Sequence, residues 1–197
     1  MSDTPHSLLE QLHKKPDDSL AWTRLVGLYS PFLKKWARRW TGLPDHDIDD
    51  LVQNVLGVVV RKIGAFEHHG HSGAFRAWLK AVLANCWREF RRRPVPLALG
   101  AGEGKQPWDE LEDPHSHLSQ VFDQEHDQMI VQELLRLGRD NFSSEHWAIF
   151  EEVALKDRAP DAVAAEYKTT RNAVYLIKSR VLHWLRTVGQ GLVERWQ

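Results

Sequence analysis

Residues 158–186, RAPDAVAAEYKTTRNAVYLIKSRVLHWLR, read as a short helix, a tight turn and a longer second helix. Pro160 suits the first turn of a helix through Tyr167, where its missing N–H would be unpaired anyway. Ala164 is small where two helices must cross closely. Thr170 is placed to cap the next helix by accepting a backbone N–H. That helix then repeats Val174, Ile177, Val181, Leu185 and Val188 at spacings of three and four, the signature of one buried face. Its first turn leaves Arg171, Asn172 and Tyr175 facing out. Arginine and asparagine can pair bidentately with guanine and adenine edges. A helix-turn-helix of this kind places its second helix in the DNA major groove. A pair of packed helices with a solvated polar face gives the same pattern, so other evidence must decide between the two.

Working outward, a chain of 197 residues suffices for one large or two small domains. Hydrophobic content of 42% beside 27% charged residues describes a globular chain rather than a disordered one. No apolar run reaches the roughly 18–20 residues of a membrane span. The polar start, Met1 to His6, lacks the apolar core of a signal peptide. The single cysteine, Cys86, excludes an intrachain disulfide and fits a reducing cytoplasm. A cytoplasmic location is therefore expected. On the apolar stripe, Cys86 reads as an inert core residue.

Net charge of −1 conceals a pattern. Residues 76–93 carry Arg76, Lys80, Arg88, Arg91, Arg92 and Arg93 against Glu89 alone. Residues 156–186 carry seven cations against three acids, while acids gather at 45–50 and across 103–127. Two basic segments around an acidic one predict two nucleic-acid contacts with a repelled tether between them.

The rest of the chain reads as helices. Trp22, Leu25, Val26, Tyr29, Phe32, Leu33, Trp36 and Trp40 follow a helical stripe, with Pro31 predicting a kink or break near Ser30. Ile48, Leu51, Val52, Val55, Val59 and Ile63 form a second stripe behind Asp45, Asp47, Asp49 and Asp50, whose charge suits a helix N-terminus. Phe75, Trp78, Leu79, Val82, Cys86 and Phe90 form a third over 74–93, after a loop at 64–73. Residues 94–119 lack periodicity and predict a flexible linker. Helix resumes from Gln120 to Leu137, and a further helix, capped by Ser143 or Ser144, buries Trp147, Phe150, Val153 and Ala154. No strand and no internal repeat is evident. The expectation is an all-α chain of two small helical domains joined by a flexible linker, the C-terminal one containing the helix-turn-helix.

Three separated motifs together resemble one family. DIDDLVQNVL at 47–56 is similar to the acidic helix of bacterial sigma factors, and FRAWLKAVLAN at 75–85 to their promoter-melting helix. A basic cluster follows at Arg91–Arg93, and the helix-turn-helix stands where the family reads its upstream element. In this order and spacing the motifs resemble an extracytoplasmic-function (ECF) sigma factor of the sigma-70 family. The resemblance covers 19–93 and 120–190.

It implies a region 2 domain at 1–93, a linker at 94–119 and a region 4 domain at 120–197. Asp47, Asp49, Asp50, Gln53 and Asn54 would meet the β′ clamp of RNA polymerase core, and the C-terminal domain the β flap. Phe66, His68, His69 and His71 would capture a flipped base of the −10 element, with Asn85, Arg88, Arg91 and Arg92 on neighbouring DNA. Arg171, Asn172 and Tyr175 would read the −35 element, with Arg158, Thr169, Thr170 and Lys178 on phosphates. The acidic linker would thread toward the polymerase's basic RNA-exit region. The function implied is promoter-specific transcription initiation without bond-breaking chemistry, cofactor or metal. Promoter DNA and core polymerase are the implied partners, and an anti-sigma factor is common in the family.

Two departures stand out. Lys168 occupies the turn position where the family usually carries glycine, which predicts either a strained left-handed residue or a reshaped turn. Asn54 stands where many relatives carry glutamate. Two other functions account for parts of the chain. A stand-alone helix-turn-helix regulator leaves 45–93 without a purpose. A metal-dependent nucleic-acid hydrolase would be built on the histidines and aspartates. His68, His69 and His71 lack the i, i+4 spacing and a nearby fourth ligand, however, and the sequential Asp49 and Asp50 point apart on a helix.

Overall fold

In a computed structural model of the chain, the residues described are 8–15, 17–66, 73–92, 107–190 and 192. Their regular structure is entirely helical, with no strand among the described residues. The chain forms two compact units whose main bodies are Leu8–Met129 and Ile130–Gln190.

The first unit contains α1 (Leu8–Lys14), α2 (Ser19–Thr41), α3 (Asp45–Lys62) and α4 (Ala74–Arg91). A 3₁₀ turn at Ile63–Ala65 follows α3, and a single turn at Pro107–Glu110 precedes α5 (His117–Asn141), which belongs to this unit as far as Met129. Asp18 starts α2 by accepting from the Leu20 and Ala21 amides at 3.1 and 3.0 Å. Gly42, at φ 65°, ends it in the left-handed conformation that glycine adopts without strain.

Of the kink or break expected near Ser30, the break does not occur, because α2 runs through Pro31 as one helix. A proline inside a helix costs about 3 kcal/mol. Tyr29, Phe32, Leu33 and Trp36 are buried on either side of it, and each burial contributes roughly 1.5–3 kcal/mol. Packing outweighs the lost hydrogen bond. Val26, assigned to the stripe, is 38% exposed instead.

A larger difference lies in the stretch read as linker. Residues 94–106 fall outside the described residues, but 107–119 are folded, α5 begins at His117 rather than Gln120, and the division between units falls at 129/130. Trp108, Leu111, Leu118 and Phe122 are buried in the first unit. Phe122 meets Phe32 and Trp36 edge-on, with ring centroids 5.2 and 5.0 Å apart. Trp108 lies 5.6 Å from Trp36 and 5.2 Å from Trp87. These apolar residues are sparse among acids, which hides their periodicity, yet each is large. They keep α4 covered on two sides: Leu83, Ala84 and Trp87 are buried as well as Phe75, Leu79, Val82, Cys86 and Phe90 of its predicted stripe, while Trp78 is only half-buried.

The second unit adds to the end of α5 the helices α6 (Ser144–Phe150), α7 (Pro160–Glu166) and α8 (Arg171–Val188). Ser143 is the cap of α6, accepting from the His146 amide. The helix continues as one π turn at Glu151–Leu155. Ile149, Val153, Val163, Ala164 and Val174 form the core, with Tyr167 and Ile177 against it. Gly138 of α5 lets the Trp147 ring approach so closely that an added Cβ would lie 2.5 Å from it.

Candidate polymerase and nucleic-acid interfaces

α3 buries Ile48, Leu51, Val52, Val55 and Val59 against the first unit, which turns its other side to solvent. Asp50, Gln53 and Asn54 are exposed there, one helical turn apart. Asp49 is half-exposed and lies 2.8 Å from Lys34 of α2, while Asp45 accepts from Arg38 at 2.8 Å. Asp47 is partly buried, 3.4 Å from His46. Two of the four acids are thus answered by α2. Exposed pairs of this kind contribute at most about 1 kcal/mol, so a basic partner can displace them at small cost.

The basic face of α4 is arranged otherwise. Arg76 and Lys80 are 4% and 5% exposed, too buried to serve as free cations. Arg76 Nε lies 3.0 Å from Asp123 and Nη1 2.5 Å from Asp127. Lys80 Nζ lies 2.8 Å from Asp123 and donates to Ser119 at 2.7 Å. The two acids belong to α5 at spacing four and face two cations at spacing four on α4. Beside them His126 is buried, its Nε2 3.0 Å from the Tyr29 hydroxyl and its Nδ1 3.3 Å from Asp127. Burial lowers the His126 pKa and raises that of Tyr29. Burial works to raise Asp127 too, but hydrogen bonds from His126 and Arg76 and the guanidinium charge outweigh it and leave its carboxyl below the usual range.

The residues assigned to the −10 element are not all gathered. His68, His69 and His71 lie outside the described residues. Phe66 packs in an aromatic trio, 5.8 Å from Phe75 and 5.2 Å from Trp78. Asn85 is exposed and accepts from Arg88 at 2.6 Å, and Arg88 is also ion-paired with Glu112. Arg91 is half-buried and Arg92 exposed. The repelled tether is corrected in one respect: its acids Glu112, Asp123 and Asp127 neutralise the basic helix α4. Among the described residues no cluster of histidine, cysteine and carboxylates is arranged to hold a metal, and no helix is long and apolar enough to cross a membrane.

In the second unit, α7 and α8 are joined by the turn 167–170. Lys168 takes the left-handed conformation at φ 51°. The Thr169 amide donates to Ala164 at 2.9 Å and the Lys168 amide to Ala165 at 3.4 Å, a Schellman motif with lysine where glycine is usual. The turn keeps its shape and carries the strain. Thr170 caps α8 by accepting from Ala173 at 3.1 Å, so its hydroxyl is engaged. Thr169 is half-buried and Lys178 partly buried at the flank.

Arg171, Asn172 and Tyr175 are exposed at the start of α8. The Arg171 guanidinium lies over the Tyr175 ring at 5.6 Å and 3.5 Å from Asp161. Arg158 is held by Glu152 at 2.6 Å and Glu166 at 2.7 Å, which fixes the turn before α7 and occupies both ends of its fork. Asp157 beside it is a second left-handed residue, at φ 51°.

Sequence reasoning missed the α4–α5 ion network, although matched spacings of four in 76–80 and 123–127 were there to be seen. It also passed over Leu176, 59% exposed on α8. A search of curated proteins finds no match to the chain. A scan against family models matches residues 25–94, from within α2 to just beyond α4, to Sigma-70 region 2. The match includes the acidic helix α3 and the aromatic-basic helix α4: the chain contains a sigma-70 region 2 domain.

Proposed function

We propose that this protein is a promoter-specificity subunit of bacterial RNA polymerase, of the ECF type. The region 2 domain would dock on core polymerase and bind the −10 element, and α7–α8 would read the −35 element as a helix-turn-helix. The observation that carries this reading is the match of 25–94 to Sigma-70 region 2 together with the exposed Asp50, Gln53 and Asn54 on α3. In support, Arg171, Asn172 and Tyr175 stand outward at the start of a capped helix, and base-reading residues of such motifs stand at that position. The β′ clamp and β flap are the surfaces proposed on the polymerase side. Catalysis would remain with the polymerase, and this chain would supply binding energy and orientation.

Run-off transcription on fragmented genomic DNA, with RNA polymerase core and with or without the protein, tests the proposal. Discrete transcripts that need the protein and vanish with Asp50→Lys support it. DNA binding without core association and without transcripts refutes it in favour of a stand-alone regulator.

A further inference from the structure

The outward face of α8 contains one side chain that the fold does not use. Leu176 is 59% exposed, whereas Val174, Val181 and Leu185 on the opposite side of the same helix are buried to within 1%. It stands four residues from Asn172 and three from Ser179, both exposed, so the three form one row. Tyr175 beside it is 45% exposed. The row begins in the first turn, and Leu176 lies about 8 Å along the axis from Arg171 at 1.5 Å per residue. Recognition helices reach base edges with this part of their length.

Of the groups that base pairs present in the major groove, the thymine C5-methyl is the apolar one. Resting on the DNA-reading role proposed above, we infer that Leu176 contacts a thymine methyl and that Asn172, one turn earlier, pairs with a neighbouring adenine. Arg171 lies near Tyr175 and Asp161 at the start of the helix, and Asn172 and Leu176 continue the same outward face over the next turn. The second unit thereby selects an A·T step.

The test uses the full chain assembled with RNA polymerase core and a random-sequence duplex library. Each thymine of the selected site is then replaced by deoxyuridine, which deletes only the methyl. Loss of one methyl contact lowers wild-type affinity about fourfold at one position. Leu176→Ala is expected to bind the thymine and uracil duplexes equally while keeping the remaining sequence preferences. An unchanged melting temperature shows that it folds, since the side chain is exposed. If Leu176→Ala and wild type lose the same affinity at every uracil, or no methyl matters, the contact is refuted with the DNA reading intact. Unaltered DNA selection with lost transcription assigns Leu176 to a protein partner and also refutes it. If the chain selects no sequence at all, the DNA-reading role itself falls.

Discussion

Phe122→Ala distinguishes a folded 107–129 from a tether. Phe122 is fully buried, and its ring is held edge-on by Phe32 and Trp36 and stacked near His126. Truncating such a phenylalanine removes its transfer energy and leaves a cavity, about 3–5 kcal/mol together. A domain's whole stability is about 5–15 kcal/mol, so one substitution removes a large part of it. Were this stretch a solvated tether, the same change would alter stability by no more than about 0.5 kcal/mol. The two accounts differ several-fold, well beyond the error of a urea titration. Tryptophan fluorescence is a suitable readout, because Trp36 lies against the substituted ring and Trp108 lies against Trp36. A midpoint shift equivalent to less than 1 kcal/mol in the transition reporting Trp36 would refute the packing described for α5.

Two further predictions concern titration and strain. Because burial lowers the His126 pKa, the folded state takes up its proton at lower pH than the unfolded chain, which does so below about pH 6.5. Its stabilisation is present above that pH and declines as pH falls toward the folded value, by up to about 1.4 kcal/mol per pH unit. His126→Gln is expected to flatten the pH dependence of stability below about pH 6.5 relative to wild type in urea titrations, and an unchanged slope would contradict a lowered His126 pKa. Asp127, whose pKa is lowered, acts in a separate window: its contribution is present above about pH 3.9 and lost below it. Lys168→Gly relieves a left-handed lysine, a conformation costing roughly 1–2 kcal/mol, against about 0.5–1 kcal/mol of added chain entropy in the unfolded state. A net gain of up to about 1 kcal/mol is expected in thermal denaturation, and a loss would mean that the Lys168 side chain has a stabilising contact of its own.

The apolar stripe of α3 was legible residue by residue, because a helix covered on one side shows its period directly. The cap of α6, narrowed to Ser143 or Ser144 with Ser143 the one that serves, and the outward trio on α8 were legible for the same local reason. α4 was legible on one side only: Phe75, Leu79, Val82, Cys86 and Phe90 are buried as its stripe reads, but Leu83, Ala84 and Trp87 are buried on a second side that one stripe does not show. Its Arg76 and Lys80 look in sequence like any cations awaiting phosphate. Only the fold brings Asp123 and Asp127, more than forty residues later, to meet them. Charge counts along a chain give the sign of a segment but not what already satisfies it. At Pro31 the local rule allowed a kink or a break, and packing of the flanking aromatic residues, against about 3 kcal/mol, keeps the helix from breaking.

The carboxylates over α4 also change what salt can do. Binding to B-DNA draws much of its strength from small cations set free, with affinity falling as roughly the 0.9 power of salt for each phosphate neutralised. Arg76 and Lys80 are already neutralised from within by Asp123 and Asp127. A phosphate taking their place would turn out carboxylates that gather counterions of their own, and the entropy of release would cancel. The ionic-strength dependence of any polyanion bound to this unit therefore counts its solvent-facing cations, Arg92 among them, and leaves the two innermost out of the sum.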